Sequence, residues 1–202
     1  MNFLAHIYLS GNDDLIKIGN FMADGIRGKD YENYSPRLKT GILLHRFIDS
    51  YTDSHPIFRQ STKRLHKNYS HYSGVLVDMF YDHFLCKNWG KYSDENLSDF
   101  VESFYTSLRE NHTILTEKTK HLLPYMEHGN WLYNYQFLDK LEVILSQMDN
   151  RTKYKSRMRY AIADLKQYYP EFETEFTLFF EDLRQRSQKK LKQLLSENKI
   201  DL

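Results

Sequence analysis

The chain has 202 residues, of which 41% are hydrophobic and 15% aromatic, and its formal net charge is +1. A chain of this length can bury a core without needing a metal or a disulfide merely to fold. The near-zero charge gives no indication of a polyanionic partner for the molecule as a whole, and Cys86, the single cysteine, excludes an intramolecular disulfide and a cluster of zinc thiolates.

The composition predicts an all-α fold. The sequence has 8 Gly and 4 Pro beside 16 Tyr and 13 Phe, which favours long helices joined by short loops. No repeat or linker divides it, so we predict one helical-bundle domain over residues 1–202. The N-terminus lacks the features of a signal peptide, and no segment reaches the ~20 apolar residues that span a bilayer. We therefore expect a cytoplasmic protein with no membrane span.

Turn and capping residues mark the boundaries of the predicted helices. Ser35 followed by Pro36 is typical of an N-cap with proline in the first turn, and Pro170 marks the start of the last helix. In chain order the predicted helices cover residues 12–28, 36–53, 54–68, 73–89, 94–111, 115–127, 130–149, 151–168 and 170–197.

The first predicted helix carries polar residues among glycines. Asn20 and Asp24 are one turn apart, with Gly19 and Gly25 beside them. Because glycine within a helix costs about 1 kcal/mol relative to alanine, we expect these positions to serve a close approach. His6 lies outside this helix and could join the same site.

The second predicted helix carries two polar residues on its apolar face. Leu38 and Ile42 begin an apolar stripe, one helical turn apart. His45 and Asp49 continue it at steps of three and four, so both side chains should point inward. A buried ionised aspartate costs several kcal/mol unless it is paired, hydrogen-bonded or bound to a metal. This pair therefore requires a partner.

The fourth predicted helix repeats the pattern. Asp78 and Asp82 are one turn apart, and Asp82 follows Met79 on one apolar row. His83 follows Phe80 on the next row. Two carboxylates and an imidazole on the core side of one helix are hard to satisfy with side-chain hydrogen bonds alone, whereas a cation would satisfy them.

These segments together supply a set of histidines and carboxylates, namely His6, Asp24, His45, Asp49, Asp78, Asp82 and His83. Such donors without thiolates suit Mn²⁺, Fe²⁺, Mg²⁺ or a catalytic Zn²⁺ and argue against structural zinc. A single inward-facing histidine or aspartate is more typical of a core residue with an ordinary hydrogen-bond partner. The recurrence of such residues on three helices favours a metal site. The residues also leave open a helical binding protein in which these groups pair with Arg or Tyr and hold no metal.

Other chemistries have weaker support. No nucleophile elbow, G-x-G-x-x-G motif or P-loop is present. Tyrosines at helical spacing are more typical of a core than of a surface that stacks on nucleic acid, so we expect no nucleic-acid partner. Basic residues gather without acids in residues 59–67, 151–159 and 184–192. These segments are either solvated helix faces or docking surfaces for an acidic macromolecule.

Four blocks of the sequence resemble the acyl carrier protein phosphodiesterase family, also called acyl carrier protein hydrolases. They are MNFLAH (1–6), GNFMADGIRG (19–28), HRFIDSYTDSHP (45–56) and DMFYDHFL (78–85), and the resemblance extends to about residue 186. It implies hydrolysis of the phosphodiester that joins 4′-phosphopantetheine to a serine of holo acyl carrier protein, usually with Mn²⁺. It also implies distant similarity to the all-helical HD-domain phosphohydrolases, although the adjacent pair Asp82-His83 is inverted here.

The resemblance assigns roles to the candidate residues. By family motif, the site contains Asp24, His45, Asp49, Asp82 and His83. We predict that Mn²⁺, with Mg²⁺ or Fe²⁺ as alternatives, is held by Asp24, His45, Asp49 and Asp82. His6, Asp78 and His83 are predicted catalytic residues that orient ligands or water, or protonate the leaving serine. Arg27 and Arg46 are predicted to clamp the phosphate, because a guanidinium matches two phosphoryl oxygens.

The resemblance also implies an acidic partner, because acyl carrier proteins are strongly acidic. The basic residues predicted to steer its docking are Arg59, Lys63, Arg64 and Lys67. We retain one alternative function, a metal-dependent phosphohydrolase of a nucleotide or another small phosphoester, because the chemistry at phosphorus is shared.

Overall fold

Helices and short turns build residues 1–200, the part of the chain that the computed structural model describes. The eleven α-helices of these residues are α1 Phe3–Leu9, α2 Asp14–Met22, α3 Pro36–Ser54, α4 Pro56–Tyr69, α5 Ser73–Lys87, α6 Leu97–Glu110, α7 Glu117–His128, α8 Trp131–Asn134, α9 Leu138–Arg151, α10 Ala161–Gln167 and α11 Tyr169–Glu197. None of them is both long enough and apolar enough to cross a membrane. The prediction of an all-α fold is confirmed.

The buried apolar side chains of residues 1–200 belong to one cluster. The assignment of a single domain to residues 1–202 stays a prediction, and residues 201–202 lie outside the described residues.

Most predicted helices lie close to observed ones. Helix α3 begins at Pro36, as its capping residues indicate, and α11 begins one residue before Pro170. Helix α4 begins at Pro56, two residues after its predicted start. Helix α2 ends at Met22 and passes into a 3₁₀ turn, so it is shorter than predicted. The predicted helix over residues 130–149 is divided into α8 and α9.

The predicted helix over residues 151–168 is wrong in its first half. Positive φ angles, which a right-handed helix excludes, occur at Lys153, Tyr154 and Arg157. The buried carboxylate of Asp149 explains this loop, because it accepts hydrogen bonds from the Ser156 hydroxyl and the Arg159 guanidinium. These contacts hold the chain in a turn, and helix α10 begins only after it.

Glycines let α2 and α3 pack backbone against backbone. A Cβ atom added to Gly19 would lie 2.2 Å from the Leu38 carbonyl oxygen. One added to Gly41 would lie 2.1 Å from the Ile16 carbonyl oxygen. Alanine at either position would therefore force the two helices apart. The close approach expected around Gly19 is confirmed, and it places the polar residues of α2 against the middle of α3.

Helix α11 packs against α3, α4 and α5 and completes the core. Its fully buried side chains include Phe172, Phe176, Phe179 and Phe180. Glu175 lies among them and accepts two hydrogen bonds of 2.6 Å from the Arg64 guanidinium. Arg64 also stacks on the Phe172 ring, 4.9 Å from its centroid. This ion pair fastens α4 to α11.

Candidate metal centre

A carboxylate from α5 holds α1 in place. Asp82 accepts hydrogen bonds from the backbone N–H groups of Leu4, at 2.8 Å, and Ala5, at 3.3 Å. A carboxylate at a helix N-terminus satisfies N–H groups that have no partner within the helix. The short helix α1, which the sequence pattern did not predict, thus carries the His6 side chain into the interior.

Three side chains from α1 and α3 converge beside α2. His6 Nε2 lies 3.1 Å from Asp49 Oδ1, and His45 Nε2 lies 3.0 Å from Asp49 Oδ2. The two imidazole rings stack with 4.2 Å between their centroids. One donor atom from each side chain lies within 4.8 Å of the others, which is close enough for all three to hold one metal ion. We call His6, His45 and Asp49 the donor group.

Asn20 on α2 fixes the orientation of both imidazoles. Its side-chain nitrogen donates to the His6 carbonyl oxygen, at 3.1 Å, and to the Ser10 hydroxyl, at 2.9 Å. Its side-chain oxygen consequently faces the rings, 2.8 Å from His6 Nδ1 and 3.1 Å from His45 Nδ1. Because an amide oxygen can only accept, both Nδ1 atoms carry protons. In each neutral ring Nε2 is then the atom that can bind a metal.

Burial and neighbouring carboxylates set the charges of the donor group. Burial lowers the pKa of His6 to about 4, so this ring is neutral at pH 7. Burial also acts to lower the pKa of His45, but hydrogen bonds with Asp24 and Asp49 outweigh it and raise the pKa to about 9. Burial acts to raise the pKa of Asp49, but the hydrogen bond from His45 acts against it, and the pKa is lowered. A metal ion would compete with the His45 proton for Nε2.

The surroundings of His6 Nε2 favour a cation. This atom lies 3.1 Å from the Met1 carbonyl oxygen as well as 3.1 Å from Asp49 Oδ1. With its proton on Nδ1, a neutral His6 presents a lone pair toward two oxygen acceptors, and the three repel one another. A metal ion between them would turn this repulsion into coordination, which is the fit that a metal site requires.

Asp24 extends the donor group at its exposed edge. Its Oδ1 lies 3.3 Å from His45 Nε2, and the hydrogen bond from His45 lowers the pKa of Asp24 to about 2. Lys118 Nζ, from α7, lies 3.5 Å from Asp24 Oδ2. Asn20 and Lys118 are absent from the predicted site. The one-turn spacing of Asn20 and Asp24 could have identified the first, whereas a single lysine on a surface helix gives no signal.

The structure does not bring the two acidic residues of α5 into the donor group. The carboxylate of Asp82 caps α1 with both oxygens, and Asp78 pairs with the amino group of Met1 at 2.9 Å. The ligand role predicted for Asp82 is therefore not supported by the geometry. Helical spacing identified these residues as inward-facing, but it does not determine which neighbour an inward side chain meets.

His83, a predicted catalytic residue, is also placed elsewhere. Its Nδ1 lies 2.8 Å from the Tyr135 carbonyl oxygen and its Nε2 lies 2.8 Å from the Tyr169 hydroxyl. Burial lowers the pKa of this imidazole. Both ring nitrogens of His83 therefore have hydrogen-bond partners within the fold, away from the donor group. The predicted role of His83 as a proton donor has no geometric support.

The two predicted phosphate-binding arginines lie near the exposed edge. Arg46 donates from its terminal nitrogens to the carbonyl oxygens of Gly28, at 2.8 Å, and Ile26, at 3.2 Å. It thereby fastens the loop that follows Asp24. Arg27 is exposed on that loop. Contact of either guanidinium with a phosphate stays a prediction.

The Asp82 cap should make stability depend on pH. Burial raises the pKa of Asp82 from 3.8 to about 7, so the folded state favours the protonated acid. The stability gained from protonation is complete below about pH 4 and is lost as the pH rises through about 7. Asp82→Asn keeps an acceptor without the charge. We expect the free energy of unfolding, measured with urea, to decrease less from pH 4.5 to pH 8 in this variant than in the unmodified protein. Parallel losses in both proteins would contradict this expectation.

Comparisons with known proteins cover nearly the whole chain. Residues 1–183 match the family model described as "Acyl carrier protein phosphodiesterase". The chain is 30% identical over 191 residues to the acyl carrier protein phosphodiesterase of Yersinia enterocolitica, covering 94% of this chain and 99% of that protein. It is 30% identical over 191 residues to the one from Photorhabdus laumondii, covering 94% and 96%. It is 29% identical over 195 residues to the acyl carrier protein phosphodiesterase of Escherichia coli O6:H1, covering 94% of this chain and 99% of that protein. No solved structure matches the chain.

Proposed function

Because the chain belongs to the acyl carrier protein phosphodiesterase family, we propose that it hydrolyses the phosphodiester between 4′-phosphopantetheine and a serine of holo acyl carrier protein. The observation that carries this proposal is the convergence of His6, His45 and Asp49, whose donor atoms lie within 4.8 Å of one another. All three lie in the sequence blocks that resemble the family. The products would be apo acyl carrier protein and free 4′-phosphopantetheine.

The donor group fits a divalent cation such as Mn²⁺. Two imidazole nitrogens and a carboxylate without a thiolate suit Mn²⁺ or Fe²⁺, whereas Mg²⁺ prefers oxygen donors alone. Asp24, 3.3 Å from His45 at the exposed edge, is a fourth candidate ligand. When bound, the cation would polarise a phosphoryl oxygen and lower the pKa of a water molecule.

The protein's own side chains prepare this site. Asn20 holds both imidazoles with Nε2 toward Asp49, so neither ring has to rotate when a ligand binds. Lys118 brings a positive charge to the exposed edge of the donor group. There it would face the negative charge of the phosphodiester. His6 is neutral at pH 7 because burial lowers its pKa to about 4. We therefore assign His6 a ligand role in place of the predicted role as general acid.

Mass spectrometry of holo acyl carrier protein tests this function. We expect incubation with the protein and Mn²⁺ to remove the mass of the prosthetic group, and omission of either to leave the carrier unchanged. A panel of free nucleotides in the same buffer tests the alternative phosphohydrolase. Hydrolysis of a nucleotide together with an unchanged carrier would overturn the proposal in favour of that alternative.

We also propose that the acidic carrier protein docks on α4. Arg59, Lys63 and Lys67 are exposed and follow one another at steps of four, so they form one basic face. Helix α4 begins directly after α3, which supplies two residues of the donor group. Arg64 does not belong to this face, because Glu175 holds its guanidinium. The prediction that Arg64 takes part in docking is corrected accordingly.

Charge reversal on α4 should slow the encounter with the carrier. We expect Lys63→Glu to lower kcat/KM for holo acyl carrier protein about three- to ten-fold at low ionic strength, with a smaller effect as salt screens the charges. Lys91→Glu, at an exposed position outside the three basic segments, changes the net charge equally and is the matched control. Equal rates for the two variants at every salt concentration would contradict docking on α4.

A further inference from the structure

A pocket of about 670 Å³ lies between α7, α8 and α9, beside the N-terminal residues. Its walls are largely apolar and include Phe3, Met79, Leu122, Trp131, Ile144 and Met148. Such a volume falls in the range of roughly 300–1,000 Å³ that is typical of small-molecule sites. The residues of the donor group do not line the pocket, so it is a separate feature.

Two contacts join the pocket to the donor group. Lys118 lines the pocket, and its Nζ lies 3.5 Å from Asp24 at the edge of the donor group. On the other side Asn2 lines the pocket, and the carbonyl oxygen of the preceding Met1 lies 3.1 Å from His6 Nε2. The pocket therefore adjoins the donor group at both of these positions.

The charges in the pocket favour an anionic ligand. Lys118 and Arg151 both line it, and none of the described residues in its lining is acidic. Besides these two cations, the lining residues with polar groups include Asn2, His121, Tyr125 and Tyr135, and the others are largely apolar. The matching ligand carries negative charge at one end and a flexible chain of mixed apolar and polar groups beyond it.

We propose that this pocket receives the pantetheine arm of the carrier protein, with the phosphodiester at Lys118 and the chain between Leu122 and Met148. This inference rests on the proposed function. The arm matches the pocket because its phosphate is anionic and the chain beyond it combines methyl and methylene groups with a hydroxyl, two amides and a terminal thiol. The pocket would then hold the phosphopantetheine arm, while the serine oxygen, which is the leaving group, faces the carrier protein, so the pocket determines which prosthetic group is removed.

Filling the pocket tests this inference. Met148 is partly buried in the wall formed by α9, whereas Val143 on the same helix is 53% exposed. We expect Met148→Trp to raise KM for holo acyl carrier protein at least roughly ten-fold, and Val143→Trp, the matched control, to leave it unchanged. Hydrolysis of bis(4-nitrophenyl) phosphate, a diester without the arm, should be equal in the two variants. Leu122→Trp fills the pocket from α7 and replaces Met148→Trp if that variant does not fold.

Calorimetric titration with free 4′-phosphopantetheine separates this inference from the proposed function. We expect binding to the unmodified protein and to Val143→Trp, and its loss in Met148→Trp. If 4′-phosphopantetheine binds with this pattern but the protein does not hydrolyse holo carrier, the proposed function is refuted and the pocket assignment is retained. If the protein hydrolyses holo carrier but Met148→Trp changes neither KM nor the binding of 4′-phosphopantetheine, the pocket assignment is refuted and the function is retained. If Met148→Trp slowed the hydrolysis of acylated carriers only, the acyl group would be the occupant of the pocket, and the pocket assignment would also be refuted.

Discussion

Replacing Asp49 by asparagine is expected to reduce hydrolysis of holo acyl carrier protein by at least about a hundred-fold. Asp49 contributes one oxygen toward His6 and the other toward His45, at 3.1 and 3.0 Å. An amide offers a single acceptor oxygen and no negative charge, so it cannot serve both rings or balance a divalent cation. The expected loss is in kcat, because the proposed cation would activate the water and contact the phosphoryl group.

A thermal-shift measurement with Mn²⁺ tests whether the loss arises at the proposed metal site. A ligand that binds only the folded state raises the melting temperature as its concentration increases. We expect Mn²⁺ to raise Tm of the unmodified protein and to have little effect on Asp49→Asn. Asp53→Asn is the matched control, because Asp53 is exposed one turn further along α3 and outside the donor group. Full activity in Asp49→Asn, with an unchanged far-ultraviolet circular dichroism spectrum, would exclude Asp49 as a ligand.

The sequence predicts those parts of the fold that depend on local signals. Prolines at positions 36 and 170 mark helix starts, and the structure begins α3 at Pro36 and α11 one residue before Pro170. Helix α1 has no such signal, since its N-terminus is closed by Asp82, which is 78 residues away from Leu4. The turn after α9 likewise depends on a buried carboxylate, Asp149. Tertiary contacts of this kind cannot be read from periodicity.

The same distinction applies to the site. His45 and Asp49 share a stripe of α3, and their predicted proximity needs only helical geometry. The neighbours of Asp82 and His83 depend on how α5 packs against α1 and the residues around Tyr135, which the stripe does not specify. Residue type alone does not mark Asn20 as a site residue, because an amide is neither a strong metal ligand nor a base. Its importance follows from its contact with two imidazoles at once.

Gly41→Ala is expected to destabilise the protein by about 3 kcal/mol or more, because its Cβ would lie 2.1 Å from the Ile16 carbonyl oxygen and 2.6 Å from the Asn20 backbone nitrogen. For a chain of this size that loss corresponds to a decrease in Tm of roughly 6–12 °C. Both obstructing atoms belong to backbone, so no side-chain rotation relieves the clash. Gly74→Ala is the control, since nothing lies within 4 Å of its Cβ position and alanine there should be neutral or stabilising by up to about 1 kcal/mol.

The position of Asn20 extends this prediction from stability to activity. If α2 moves away from α3 to admit the methyl group, the Asn20 oxygen withdraws from His45 Nδ1, which it contacts at 3.1 Å. Gly41→Ala protein that remains folded at low temperature should therefore show a weaker Mn²⁺-dependent rise in Tm and slower hydrolysis than Gly74→Ala. Thermal melts of both variants with and without Mn²⁺ measure this directly. Equal stability and equal response to Mn²⁺ would show that the contact between α2 and α3 neither limits the fold nor orients the imidazoles.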